Sequence, residues 1–226
     1  YLVGEANMGL SYMFTMMNHA RLNVGVQGVA LSDRAYQQAV HYACDRVQGQ
    51  APGMLGKSAI IHHPDVRRML MLMRALSEAS RALCYVTSAA FDHGHKALDP
   101  EVRASAMRRA ELLTPISKAW STEVSQEVTS LGVQVHGGMG FIEETGAAQL
   151  MRDARITTIY EGTTGIQALD LIGRKVIRDQ GAALLSLLEE VDETAVALAT
   201  DFPAMAASLT AASTEFRQAT SFVLIH

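Results

Sequence analysis

One carboxylate in this chain stands out by its neighbours. Glu161 follows Tyr160 and precedes Gly162, Thr163 and Thr164, and a helical pattern opens directly after it. Gly162 lets the backbone bend sharply and lets another group come close. Thr163 or Thr164 can cap the helix that follows. A carboxylate held in such a bend is placed to act on a bound ligand, and the helix entrances nearby attract anions such as phosphates. A plainer role, more frequent for a Glu in this position, is to oppose the positive end of the helix dipole. Upstream, Gly137, Gly138 and Gly140 stop one helical pattern just after Gln134, and a second runs from about Glu143 to Arg155. Arg46 falls at the C-terminal end of another helical pattern, where a cation suits the dipole.

Other groups that can do chemistry are poorly placed for it. His62-His63 and His93-Gly94-His95 lack carboxylate or cysteine neighbours at ligand spacing, so no metal site is expected. Glu143 and Glu144 are adjacent and diverge around a helix, which fits first-turn acids better than an acid pair. Cys44 and Cys84 are far apart, form no CxxC, and read as buried, reduced thiols. The Met69–Met73 run reads as core.

The elements that must position these residues are almost all helices. Leu22, Val26, Val29, Tyr36, Val40, Ala43 and Val47 recur at helical spacing from Asn18 to about Gln48, with residues 1–17 as a lead-in. A Gly/Pro loop covers 48–58. Pro64-Asp65 opens a second helix, expected to reach about Phe91, with HGHKALD as a break. Asp99-Pro100-Glu101 starts a third, and Thr114-Pro115 is expected to kink or divide it. Its stripe reads Ile116, Trp120, Val124, Val128, Leu131 and Val135. After Glu161 the stripe reads Ile166, Leu169, Gly173 and Val176. Two more amphipathic helices, at 181–200 and 204–225, flank Asp201-Phe202-Pro203. The expected fold is all-α: an antiparallel four-helix-type bundle over 1–178 with a C-terminal helical extension at 179–226.

Length and composition set bounds. The chain has 226 residues, is 49% hydrophobic and has a net charge of −4, so a sizeable core is available and no basic block suggests nucleic acid. No apolar run reaches the roughly eighteen residues of a membrane span. The first residue is Tyr1 and the last, His226, falls in an apolar run, so the chain reads as a piece of a longer protein.

Gln134, Gly137-Gly138, Arg152-Asp153 and Tyr160-Glu161-Gly162-Thr163 together resemble the signature of the C-terminal helical domain of the acyl-CoA dehydrogenases, flavoenzymes that desaturate fatty acyl thioesters. The likeness covers about residues 12–178. It implies that Glu161 is the base that takes the α-proton of an acyl-CoA in fatty acid β-oxidation, with Gly162 against the substrate. It implies FAD as cofactor, touched by Thr163 in one subunit and by Arg46, Gln48, Gln134, Gly137 and Gly138 from the neighbouring one. Arg21 matches an Arg near the bound thioester, while Asn18 replaces the usual acid and Gly165 replaces a cofactor-contacting amide. The resemblance further implies a homodimer or homotetramer, an electron-transferring flavoprotein or similar acceptor, and a bacterial cytoplasmic setting. It leans toward medium- to long-chain substrates. Two other readings stay open: an alkylation-response type relative without acyl-CoA turnover, and a non-enzymatic helical interaction module.

Overall fold

The computed structural model describes residues 1–225. Three long helices form its frame: α1 (Gly9–Asp45), α2 (Pro64–Lys96) and α3 (Pro100–His136). Short pieces follow, α4 (Gly138–Phe141), α5 (Ala147–Thr157) and α6 (Thr164–Asp170), and α6 runs into a π-helical stretch over Leu171–Val176. The chain ends in α7 (Ala182–Leu198) and α8 (Pro203–Ile225). Strand pairing among the described residues is limited to one isolated bridge, Val47 to Ala59. The all-α expectation holds.

Punctuation residues set many of the boundaries. Pro64 and Pro100 sit in the first turns of α2 and α3, where a missing N–H costs nothing. The Asp99 carboxylate caps α3 by accepting from the Glu101 N–H at 2.8 Å. Gly137, with φ 59°, ends α3. Pro115 lies inside α3 without dividing it. Two other expectations move. α1 begins at Gly9 instead of emerging near Asn18, because its first turns are mostly exposed and so show no apolar period. α2 continues through Gly94 to Lys96. Gly94 is not a breaker: a Cβ there would lie 3.3 Å from the Met107 backbone nitrogen of α3.

The seam between α1 and α3 is built from small residues. Gly25, Gly28, Ser32, Ala35 and Ala39 of α1 are buried, facing an α3 that buries Ser117, Ser121, Ser125, Thr129 and Gly132. A Cβ on Gly28 would come within 2.6 Å of the Ser121 carbonyl oxygen, and one on Gly25 within 2.9 Å of that of Ser117. The helices therefore approach backbone to backbone. The α3 stripe expected from its large apolar residues holds at Val124, Val128 and Val135 and is corrected at Trp120, which is 39% exposed. Beside it α3 also buries the hydroxyls of Thr114, Ser117, Ser121, Thr122, Ser125 and Thr129. Thr122 and Thr129 satisfy their hydroxyls within the helix by donating to the carbonyls of Lys118 and Ser125, while Ser117 and Ser121 meet Thr87 and Cys84 of α2.

Larger side chains fill the rest. One cluster joins Val124, Val128 and Val135 of α3 to Met69, Leu70 and Met73 of α2, so the methionine run is core at its two ends, while Met71 faces outward, 70% exposed. Another holds Leu22, Val29, Cys84, Phe91 and Ala110. A third, with Leu112, Val176, Leu184 and Leu188, docks α7 onto α3. Cys84 is buried, and burial pushes its thiol pKa up. Cys44 is exposed, contrary to expectation. It sits in the last turn of α1, beyond the buried Ala43.

Gly28→Ala is expected to destabilise the chain by about 1–3 kcal/mol, through forced separation of α1 and α3. Gly173→Ala, with open space around its Cβ, is expected to be neutral or stabilising by up to about 1 kcal/mol. Urea unfolding followed by circular dichroism measures both.

Candidate functional site

The turn between α5 and α6 holds Glu161 in a conformation few side chains adopt. Glu161 has φ 56° and Gly162 has φ 90°. The left-handed region costs a non-glycine residue on the order of 1 kcal/mol, so the surroundings must impose it. They do so from three helices. The Tyr160 hydroxyl donates to the Gln27 side-chain oxygen on α1. The Thr164 hydroxyl donates to Glu123 Oε1 on α3 at 2.6 Å. The Lys118 ammonium, also on α3, donates to the Gly162 carbonyl at 2.7 Å. Gln167 of α6 donates its side-chain N–H groups to the carbonyls of Glu161 (3.2 Å) and Gly162 (3.1 Å).

Glycine suits position 162 because φ 90° strains any side chain there, and a Cβ would also press on the Gln167 amide that holds the turn, 2.8 Å from its Nε2. Thr163 is the N-cap of α6, its hydroxyl accepting from the Ile166 N–H at 3.4 Å. Glu161 itself is half-buried. Among the described residues nothing accepts its backbone N–H.

Beneath this turn lies a buried polar layer. Lys118 is fully buried, and burial pulls its ammonium pKa down to about 8. The nearby Arg21 cation adds to that shift, while Glu123 and Glu161 oppose it. Arg21 is buried as well, with NH1 2.8 Å from Asp170 Oδ2. Its Nε has no hydrogen-bond partner among the described residues. The sequence analysis put Arg21 near a substrate; the structure engages it with Asp170, at the wall of a cavity of about 950 Å³ that Phe14, Asn18 and Arg174 also line. Glu161 does not line that cavity.

Lys118, Gln167 and Asp170 were not singled out from the sequence. Of the stripe expected after Glu161, Ile166 and Leu169 are turned outward, 46% and 70% exposed, and Val176 is buried, while in α6 itself Gln167 and Asp170 face inward. Their spacing is helical, but a period in polar residues is invisible to a search for apolar ones. A signal existed at Lys118, a lone cation between the small residues Ser117 and Ala119 of α3.

A second group of residues gathers at the other end of the α1–α3 seam. Arg46 caps the C-terminus of α1 and is exposed, with NH2 3.4 Å from Gln48 Oε1. Gln134, Gly137 and Gly138 lie exposed where α3 ends, with open space around both glycines. Tyr42 of α1 stacks on His136 of α3 with ring centroids 4.5 Å apart, which joins the two helix ends. From Gln27, which anchors the Glu161 turn, α1 rises about 28 Å to Arg46. Arg21, Glu161, Gly162 and Thr163 are thus apart from Arg46, Gln48, Gln134, Gly137 and Gly138. Glu143 lies outside both groups, paired with Arg152 at 2.6 Å.

Comparison with known proteins adds a framework. The family model described as acyl-CoA dehydrogenase, C-terminal domain, matches residues 7–177. The chain is 56% identical to a 3-methylmercaptopropionyl-CoA dehydrogenase of Ruegeria pomeroyi over 86% of its own length and 33% of that protein. An acyl-CoA dehydrogenase of Bacillus anthracis, solved in complex with FAD, aligns with TM-score 0.68 and 27% identity over 85% of this chain and 33% of that chain. ACDH-11 of Caenorhabditis elegans, solved with C11-CoA, matches 96% of this chain and 35% of its own with TM-score 0.80, a likeness of fold at 19% identity. The chain spans about a third of the length of the curated relatives it matches.

Breaking the Arg21–Asp170 pair at Arg21 leaves the buried Asp170 carboxylate with only the longer, 3.7 Å contact to Arg174. Arg21→Leu is expected to cost about 3–5 kcal/mol, and the double variant Arg21→Leu with Asp170→Leu to recover most of that. Denaturant midpoints of the two variants measure the difference.

Proposed function

The chain belongs to the acyl-CoA dehydrogenase family, as its C-terminal domain, and on that premise we propose that it supplies the base for the α,β-desaturation of an acyl-CoA thioester. The observation that supports this best is the Glu161 turn: a carboxylate in a left-handed backbone conformation, pinned by Tyr160, Lys118, Thr164 and Gln167. A carboxylate is a modest base toward a carbon acid. It suffices where its position is fixed and where the enolate-like charge on the thioester oxygen meets a donor.

Glu161 accepts the proton from the α-carbon as the C–H bond breaks. Its own backbone N–H, which nothing on the described chain accepts, donates to the thioester carbonyl. Gly162, without a side chain, leaves room for the thioester to lie against the turn. FAD, when bound, supplies the acceptor for the electron pair that leaves with the β-hydrogen.

The residues present fit a flavin dinucleotide. Arg46 offers an exposed guanidinium with no carboxylate partner among the described residues, suited to pyrophosphate oxygens. Gln48 and Gln134 add amides, and the open backbone at Gly137 and Gly138 leaves room for close approach. Thr163 keeps a hydroxyl proton to donate beside Glu161. The separation of about 28 Å along α1 between the Arg46 group and the Glu161 turn favours their serving two different FAD molecules. That supports a homodimer or homotetramer sharing cofactors across subunits. The full-length protein passes electrons to an electron-transferring flavoprotein or similar acceptor, in β-oxidation or a parallel acyl-CoA pathway. No described helix is long and apolar enough to cross a membrane. Bacterial relatives of this kind support a cytoplasmic setting.

The test is anaerobic bleaching of the flavin in the full-length protein by a panel of acyl-CoAs. The wild type is expected to bleach, and Glu161→Gln to keep its FAD while bleaching about 10²–10⁴-fold more slowly. Flavin that no acyl-CoA bleaches would indicate an alkylation-response type relative. Absence of flavin would indicate a helical interaction module.

A further inference from the structure

We propose that Lys118 is a positioning residue for the general base, its ammonium holding the Gly162 carbonyl so that the Glu161 backbone stays in its left-handed conformation. The inference rests on the reading of Glu161 as the base.

Geometry carries the argument. Lys118 Nζ lies 2.7 Å from the Gly162 oxygen, a charge-assisted distance, and the residue is fully buried. It is the largest fully buried side chain among the described residues. A cation there is costly in a core, and a methionine of similar length would occupy the same space without desolvating a charge. What the amine adds is its hydrogen bond, and that bond ends on the peptide beside Glu161. At Glu161 and Gly162 the backbone takes two positive-φ steps in succession, at 56° and 90°. Those two steps set where the Gly162 carbonyl points, so a donor fixed on α3 holds both torsions at once. Gln167 Nε2 reaches the same oxygen at 3.1 Å but is shared with the Glu161 carbonyl, and it rides on α6, the helix that the turn itself begins. Tyr160 and Thr164 tie the turn to the frame through their own side chains, whereas Lys118 is the frame residue whose bond ends on the turn's backbone.

The charged groups facing Lys118 are Arg21 from α1, Glu123 from its own helix and Glu161 from the turn, with Asp170 of α6 engaged by Arg21. Burial, seconded by Arg21, brings the Lys118 pKa to about 8. Above that pH the bond to Gly162 loses its charge assistance and weakens. Turnover should therefore carry an alkaline limb that belongs to Lys118.

The experiment uses the full-length flavoprotein, the acyl-CoA that bleaches its flavin fastest, and a ferrocenium electron acceptor. Lys118→Met is expected to lower kcat about 10²-fold, a cost in keeping with a small misplacement of a catalytic group. KM should stay within about threefold and flavin content should be unchanged. The wild-type fall in kcat as pH rises through about 8 should be absent from the variant. A flavin-loaded Lys118→Met protein with kcat within about threefold of wild type and the same alkaline limb would overturn the proposal. Where Lys118→Met does not retain FAD, Gln167→Leu decides, since it strips the second donor and leaves Lys118 to hold the Gly162 carbonyl. A flavin-loaded Gln167→Leu protein whose kcat falls more steeply than that of wild type as pH rises past 8 supports the clamp; one whose kcat shows no fall across that range overturns it. A wild-type flavin that no acyl-CoA bleaches defeats the reading of Glu161 itself, a result separate from either.

Discussion

A cation in the middle of a helical bundle must be answered by oxygen atoms, and that requirement organises this molecule. Lys118 projects from α3 into the core, and the oxygen that meets it is the carbonyl of Gly162, 2.7 Å away. Arg21 projects from α1 a short distance off, and its answer is Asp170 of α6. The two cations disfavour each other, so neither can relax toward its neighbour, and each is held to its own partner. The consequence is that α6 and the turn before it are docked by buried polar contacts. Their apolar residues Ile166 and Leu169 face away. A short helix held by direction-specific bonds has one seating, whereas a greasy one can slide.

That single seating matters because the turn is strained. Two consecutive residues with positive φ, one of them Glu161, do not arise from local preference. The strain is tolerated because contacts come from α1, α3 and α6 together, through Gln27, Lys118, Glu123 and Gln167. The same arrangement frees the peptide N–H beside the carboxylate, since a regular helix would have consumed it. Preorganisation and strain are here two descriptions of one backbone geometry.

The fold was largely legible in the sequence because its cues are local. Prolines at 64, 100 and 203, the Asp99 cap and the glycines at 137 and 138 act within a few residues of themselves. Glu161, Gly162 and Thr163 were legible as a unit for the same reason, since the cap and the bend are neighbours in sequence. What escaped was long-range. Nothing near Lys118 says that a carbonyl 44 positions later will receive it. The α1 start was missed because exposed turns carry no apolar period, and Gly94 misled because its reason is the Met107 backbone across the interface. Cys44 was misjudged because one residue's rotation around α1 separates it from the buried Ala43.

The small-residue seam gives these pieces a common origin. Backbones as close as those of Gly25 and Gly28 against Ser117 and Ser121 leave no slack between α1 and α3. Gln27 and Lys118, which grip the Glu161 turn from opposite helices, therefore hold a fixed relation to each other. At the far end the stacked Tyr42 and His136 keep Arg46 and the glycine turn in register by the same rigidity. One stiff pair of helices thus presents two separate surfaces, and the spacing between them is a property of α1 and α3 and not of the loops. On the proposed reading, in which one chain presents the base and a phosphate grip serves its neighbour, such a spacer keeps both surfaces correct at once. Larger side chains at Gly25 or Gly28 would push the two helices apart and so change that spacing, which is why small residues line the seam where a bundle would ordinarily put its leucines.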